Sequence, residues 1–505
     1  MRLASVLALA LLAPLALSVG CPGENPEGPH ALPPLGDGKT DNYVSDTARE
    51  YVLSGEAHAT LPADYATQTP EEQTATLERL VAARLGTVGR AVKSHIQQVE
   101  RDANAELPEG ANEFFTYFKR NNASAEAATV VDATRAVFPF EMEFIGHNLL
   151  MSKVAPESND PRTFVVEVKD WGEATGEQVT VTIAGSESRD AFPKYDELFA
   201  DGIFDIAIHF GGDYNTERYD LETAKWTVEY LLEGGWTHPS ATSLESLTLE
   251  SEPFTRTLKV EGKEVAVNVY VYTAEMDGGG DQGVLSQAMA ASFAARDIVV
   301  YSGHAGEGAG FLLDYHPRYE LRASAFADLP LASKYQIFIF DGCNSYRSYV
   351  DDMMKNPAKT FDNVDMVTTV NTTPFSAGYQ LIHELLFWFT ITEEDGTHYP
   401  LSWLTLLRGV NKDFWDVHYG VHGIDQDPQL NPNGGQTMMC SGCETDADCG
   451  AGGNYCLAYS EGAACGVACT TDAACGQGYR CARLWDDPEL FYLPKQCIRR
   501  DQVCE

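Results

Sequence analysis

DIVVYSGHAGEG (297–308) and IFIFDGCNSY (337–346) each contain a strongly apolar run that ends in a glycine turn, and each turn carries a chemically capable side chain, His304 in the first and Cys343 in the second. Short apolar runs bounded by turn residues suit strands buried on both faces. If the two runs are neighbouring parallel strands, His304 and Cys343 come out at the same carboxyl edge of one sheet, where open α/β sheets gather their sites. A thiol becomes a useful nucleophile when something stabilises its thiolate and something protonates the leaving group. One imidazole nearby can do both. The pair is therefore a candidate Cys/His hydrolytic dyad.

Runs of the same kind flank it: DIAIHF (205–210), VAVNVYVYTA (265–274) and VDMVTTVN (364–371). Between them, ETAKWTVEYLLEGG (222–235) and VLSQAMAASFAARD (284–297) suit crossover helices, and an amphipathic region from Gly378 to Val410 follows. The pattern predicts an α/β domain over 191–437, a mostly parallel sheet with helices on both faces. Residues 43–190 read differently. Apolar positions recur at helical spacing over 70–103, interrupted near Gly86 and Gly89, which predicts two helices or a kinked one. FPFEMEFIG (138–146), TFVVEVKDW (163–171) and QVTVTIAG (178–185) alternate apolar and polar residues and read as antiparallel strands. This part is an α+β domain.

The two ends of the chain of 505 residues speak for export. Met1-Arg2 precedes an apolar stretch from Leu3 to Leu17 that is too short for a membrane span and reads, over 1–20, as a secretory signal. The run LSVGC (17–21) resembles a bacterial lipobox, which implies acylation of Cys21 and membrane attachment only through that lipid, with ordinary signal cleavage as the alternative. Residues 21–42, rich in Pro, Gly and acidic side chains, read as a solvated tether. Ten of the 12 cysteines lie between Cys440 and Cys504. There CETDADCGAGGNYC (443–456) is matched by CTTDAACGQGYRC (469–481), so 438–505 reads as a small disulfide-rich repeat module, with zinc as the rival use of paired cysteines. Setting aside those ten and Cys21 leaves Cys343 alone. A lone thiol in an oxidising compartment is buried or employed. The formal charge of −39, from 74 acidic against 35 basic residues, repels nucleic acid and anionic lipid and argues against a nucleic-acid partner.

YSGHAGEG (301–308) and FDGCNSY (340–346) together resemble the His-Gly and Asp-x-Cys-x-Ser blocks of the caspase-like cysteine peptidases, the clan of caspases, metacaspases and gingipains. The resemblance covers about residues 195–430 and implies a caspase-like fold, a protein or peptide substrate and no cofactor or metal. It makes Cys343 the nucleophile, His304 the base or acid, and the backbone amides of Cys343 and of Ala305 or Gly306 the oxyanion donors, each worth about 3 kcal/mol. The family usually has glycine directly after the histidine, where this chain has Ala305. A positive φ there would strain alanine by about 1 kcal/mol or more.

The resemblance also sets Asp341 to face a basic side chain before the scissile bond, with Ser345 completing the block. The plainer reading of Asp341 is a turn aspartate bonding its own backbone. Asp213, after the strand in HFGGDYN (209–215), is a second acidic candidate for substrate binding. His209, His383 and His422 are weaker catalytic candidates, and DGGGDQG (277–283) reads as a loop at the active edge. The sequence thus predicts an exported, lipid-anchored bacterial cysteine endopeptidase, with specificity for basic residues as a further expectation. Two rivals stand beside it: a non-catalytic surface module for binding or adhesion, and a proenzyme whose amino-terminal domain covers the site until clipped near 186–196.

Overall fold

A computed structural model describes the chain from Tyr43 to Arg499 except for 44, 46–47, 108–112, 124–126, 156–161, 170–174, 186–191, 279–282, 306–309, 316–317, 394, 402, 412–416 and 423–442. Within the tail it describes 443, 446–449, 454–459, 462–469, 479–484 and 495–499. The signal, the tether, Cys21 and Gly306 lie outside the described residues.

The first unit is an antiparallel sheet with one long helix. Its elements are β1 (Ala48–Thr60), α1 (Pro70–Ala105), β2 (Thr116–Ala123), β3 (Thr129–Asp132), β4 (Arg135–His147), α2 (Asn148–Val154), β5 (Thr163–Val168) and β6 (Glu177–Gly185). The strands run in the order β2-β4-β1-β6-β5, with β3 also on β4. Helix α1 begins at a capping box in which the Thr69 hydroxyl accepts from the Glu72 amide and the Glu72 carboxylate accepts from the Thr69 amide. It then runs unbroken through Gly86 and Gly89, so of the two expected forms, two helices or one kinked helix, the chain takes a single helix. Each glycine costs about 1 kcal/mol against alanine. Burial of Val81, Val88, Val92 and Ile96 on the sheet, at about 1.5–3 kcal/mol per side chain, outweighs that cost.

The second unit contains α3 (Tyr195–Leu198), β7 (Ile203–Phe210), α4 (Tyr219–Glu233), β8 (Phe254–Val260), β9 (Lys263–Tyr272), α5 (Gly283–Ala295), β10 (Ile298–Ser302), β11 (Gly310–Tyr315), β12 (Arg318–Arg322), β13 (Gln336–Asp341), α6 (Ser345–Met353), β14 (Val364–Thr369), α7 (Phe375–Phe389), α8 (Trp403–Val410) and β15 (Tyr419–His422). Its sheet runs β15-β14-β13-β10-β7-β9-β8. The five central strands are parallel, and the edge strands β8 and β15 are antiparallel. Alternate residues of each strand serve two cores. Ile206, Val300, Ile339 and Val367 face Leu231, Leu381 and Trp403 on one side, while Val299, Phe338 and Phe340 face Met289, Phe293 and Tyr349 on the other. Helices therefore cover both faces, as near-continuous Val/Ile/Phe strands require.

The two units meet at the β15 edge. Tyr43 is fully buried against Tyr346 and His422, and the Phe115 ring stacks on His418 at 3.8 Å. In the tail, disulfides join Cys443 to Cys456, Cys449 to Cys465 and Cys469 to Cys481. The two sequence repeats thus close the same way, first cysteine to last. Cys481 faces Cys497 across a strand pair as Cys456 faces Cys465. Cys443, Cys449 and Cys456 bring their sulfurs together, each joined in one of these bridges. Among the described residues no helix is long and apolar enough to cross a membrane.

Candidate functional site

The chain leaves β7, builds β8 and β9 on one side of it, and crosses to place β10 on the other. That reversal opens a crevice at the carboxyl ends of β7 and β10, the usual binding position of an open α/β sheet. Register puts Phe210, Ser302 and Asp341 side by side at the last rung of β7, β10 and β13. Asp213, His304 and Cys343 follow two or three residues later, on three consecutive turns of one edge.

Backbone contact brings these turns together. Tyr301 donates its hydroxyl to the His304 carbonyl at 2.6 Å and accepts from the Leu312 amide at 2.9 Å, fixing the histidine turn. Gly342 lies so close to it that a Cβ there would sit 2.6 Å from the Ala305 Cβ and 2.8 Å from the Gly303 carbonyl. Any larger residue before Cys343 would push the two turns apart. Asn344, directly after the cysteine, takes a left-handed conformation with φ of 50° and donates its amide to the Asn371 carbonyl at 2.9 Å. Asparagine tolerates that geometry better than most residues, and α6 starts immediately beyond it.

The imidazole of His304 is held from three sides. Its Nε2 lies 3.1 Å from Asp213 Oδ1, its face stacks on Tyr214 with centroids 4.4 Å apart, and Phe375 meets it edge-on at 5.0 Å. Burial alone would raise the Asp213 carboxyl. Hydrogen bonds from His304 and from the Asn215 and Tyr219 amides, with the favourable charge of His304, outweigh burial and hold it below the ordinary carboxylate range. An ionised Asp213 accepts a hydrogen bond from Nε2–H of His304, which leaves Nδ1 as the nitrogen without a proton in the neutral ring.

Cys343 stands differently. It is 7 % exposed, and the Thr373 amide donates to its sulfur at 3.5 Å. Thr373 and Phe375 belong to one short segment, so a single wall borders both the sulfur and the imidazole. The sulfur is disulfide-bonded, and its partner lies outside the described residues. This corrects the reading of Cys343 as the one cysteine left over. In an oxidising compartment a thiol within reach of another is a bridge in waiting.

The substrate-binding assignments change as well. Asp341 is 2 % exposed; one oxygen accepts from the Ser302 hydroxyl at 2.6 Å and the other from the Tyr419 hydroxyl at 2.7 Å. Burial raises its carboxyl to about 6, against these two bonds. It is a buried brace between β10, β13 and β15. Ser345 is fully buried, donating to the Phe340 carbonyl at 2.6 Å and accepting from the Thr369 amide at 2.9 Å, so it anchors α6. Asp213 spends its oxygens on His304, Asn215 and Tyr219. None of the three turns a carboxylate or hydroxyl outward to receive a basic side chain.

Ala305 is free of the feared strain, because Arg218, Glu261 and Asn344 are the non-glycine residues with positive φ among those described. His209 is buried and bonded to Ser292, with its pKa lowered to about 3 by burial and then by Arg296. His422 is buried beside the Thr368 hydroxyl, and His383 packs between Tyr230 and Tyr379 on the outer side of α7. Sequence reasoning missed the roles of Asp213, Tyr214, Tyr301 and Phe375. The position of HFGGDYN at the end of a central strand was the signal for the first.

Comparison with family models, with curated proteins and with solved structures found no match to the chain.

Proposed function

We propose that the chain is an exported cysteine peptidase with a caspase-like α/β domain, lipid-anchored at Cys21 in a bacterial envelope. Cys343 is the nucleophile, His304 the proton carrier and Asp213 the group that orients the ring. The observation that carries this reading is the Asp213–His304 pair at the switch-point crevice, with Cys343 on the turn that follows the adjoining parallel strand. In the reduced chain the amino end of α6 favours a thiolate at Cys343. Nδ1 of His304 then takes the thiol proton and returns it to the leaving amine. The thiolate attacks the scissile carbonyl, a thioester forms, and water hydrolyses it. The Cys343 amide serves the oxyanion. The substrate is a protein or peptide, and no preference for basic residues is assigned to Asp341 or Asp213.

The test is hydrolysis of a fluorogenic protein substrate by the reduced chain and by Cys343→Ala. The wild type should cleave and the variant should not, while both keep the same melting temperature. Equal activity would remove the assignment. A second reading, a non-catalytic binding module, is favoured by one fact, the disulfide at Cys343. A thiol-directed peptide probe separates the two: the peptidase labels at Cys343 of the reduced chain in a manner that depends on His304, and the scaffold does not.

A further inference from the structure

Among the described residues, the exposed large aromatic side chains all lie on one outer face, that of α4 and α7: Tyr219 at 40 %, Trp226 at 37 % and Phe387 at 44 %. The rings form a ladder. Phe375, Tyr379, His383 and Phe387 repeat every four residues along α7, which sets them in one row. From α4, Tyr219 meets Phe375 at 6.5 Å, Trp226 meets Tyr379 at 5.5 Å, and Tyr230 meets His383 at 4.1 Å. Both helices start at the candidate dyad. The Tyr219 amide donates to Asp213, and the Phe375 ring meets the His304 imidazole. The row therefore begins at the imidazole and runs outward for about 18 Å, the length of about five residues of extended chain.

Carboxylates flank the rings. Glu222, Glu229 and Glu233 stand exposed on α4, and Glu384 sits beside Trp388 on α7. Lys225, paired with Glu229 at 3.9 Å, is the only Lys or Arg on either helix. Burial, then the charges of Glu229 and Glu233, raise the Tyr379 hydroxyl above its ordinary range, so these carboxylates act on the row itself. Aromatic faces bordered by carboxylates suit a guanidinium or ammonium that stacks on the ring while its N–H groups meet the acid. Resting on the peptidase reading, we propose that the α4/α7 ladder is a binding track for the substrate, taking a basic segment of extended polypeptide beyond the scissile bond. Continuity with the crevice names the occupant, and the carboxylates name its charge. Charge is thus read along the track and not beside the scissile bond.

The test uses the full chain with Cys343→Ala, which can bind without cleaving. Fluorescence anisotropy follows a labelled peptide of about a dozen alternating Arg and Ser residues, with Glu-Ser and all-Ser peptides as controls. The Arg peptide should bind and the controls should not. Adding Trp226→Ala should weaken binding about tenfold, and Trp226→Phe should restore it. With Cys343 intact and the chain reduced, a casein-derived fluorogenic peptide is compared with the same peptide extended by the Arg-Ser run. Trp226→Ala should lower the ratio of kcat/KM, extended over unextended, by about the same factor of ten. Unchanged binding by a Trp226→Ala chain that melts like its parent would overturn the track, and hydrolysis of the unextended peptide would leave the peptidase standing. Binding that depends on Trp226, with neither peptide hydrolysed, would remove the peptidase and the substrate role together. A dimer in sedimentation that Trp226→Ala dissolves would assign the face to a second copy of the chain and overturn the proposal.

Discussion

The two halves of the candidate site are built to different states. On the β7 and β10 side, an ionised carboxylate, an imidazole and two aromatic walls stand in working relation, with His304 partly open to solvent. On the β13 side, the carboxylate Asp341 is sealed under α7, and the sulfur two residues later is bonded away. The contrast shows in titration. Asp213 is held below the ordinary carboxylate range by its partners, and Asp341 is raised to about 6 by burial. Two aspartates at one sheet edge thus do opposite work: one serves an imidazole, the other braces strands. Position at a strand end alone does not separate these roles.

The largest break in this comparison comes from removing the reacting groups. In the reduced chain Cys343→Ala and His304→Ala should each lower kcat/KM by about a thousandfold or more. Asp213→Asn should cost less than removing either reacting group. It should also change the pH profile of kcat/KM, because the ring loses the carboxylate that selects its tautomer. A profile unchanged in shape would make Asp213 merely structural.

Stability measurements sharpen the contrast further. The folded-state pKa of Asp213 lies below its unfolded value, so its stabilisation is fully present above about pH 4 and is lost as pH falls through the folded pKa. Urea melts of wild type and Asp213→Asn should therefore differ most above that range and converge in acid. Asp341 has the opposite sign. Its folded pKa of about 6 lies above the unfolded value, so ionisation costs stability progressively as pH rises from about 4 to 6. Wild type should lose stability against Asp341→Asn across that window, and parallel curves would refute the assignment. Ala305→Gly should be the smallest effect, within about 1 kcal/mol in stability, because no positive φ awaits relief there.

Much of this was legible in the sequence. The five parallel strands and both crossover helices announce themselves as apolar runs of distinct period, and the end-of-strand positions of His304 and Cys343 follow from them. The antiparallel edge strands β8 and β15 did not show, since TRTLKV (255–260) and YGVH (419–422) are short and partly polar, and pairing decides them. The partners of the carboxylates were equally hidden. Nothing local in FDGCNSY says that Tyr419, 78 residues on, takes an oxygen of Asp341. The bridge at Cys343 escaped counting because setting aside Cys21 and the tail's ten cysteines assumed that none of them reaches Cys343. The repeat, by contrast, was readable as a disulfide module, though its connectivity was not: both copies close first cysteine to last, at Cys443–Cys456 and Cys469–Cys481.

The central claim is spatial, and one measurement addresses it most directly: the separation of Cys343 Sγ from Nδ1 of His304 in a crystal structure of the reduced chain. The account predicts about 3–4 Å, with Nε2 still on Asp213. A sulfur pointing into the core, or a gap too wide for even one bridging water, would contradict it.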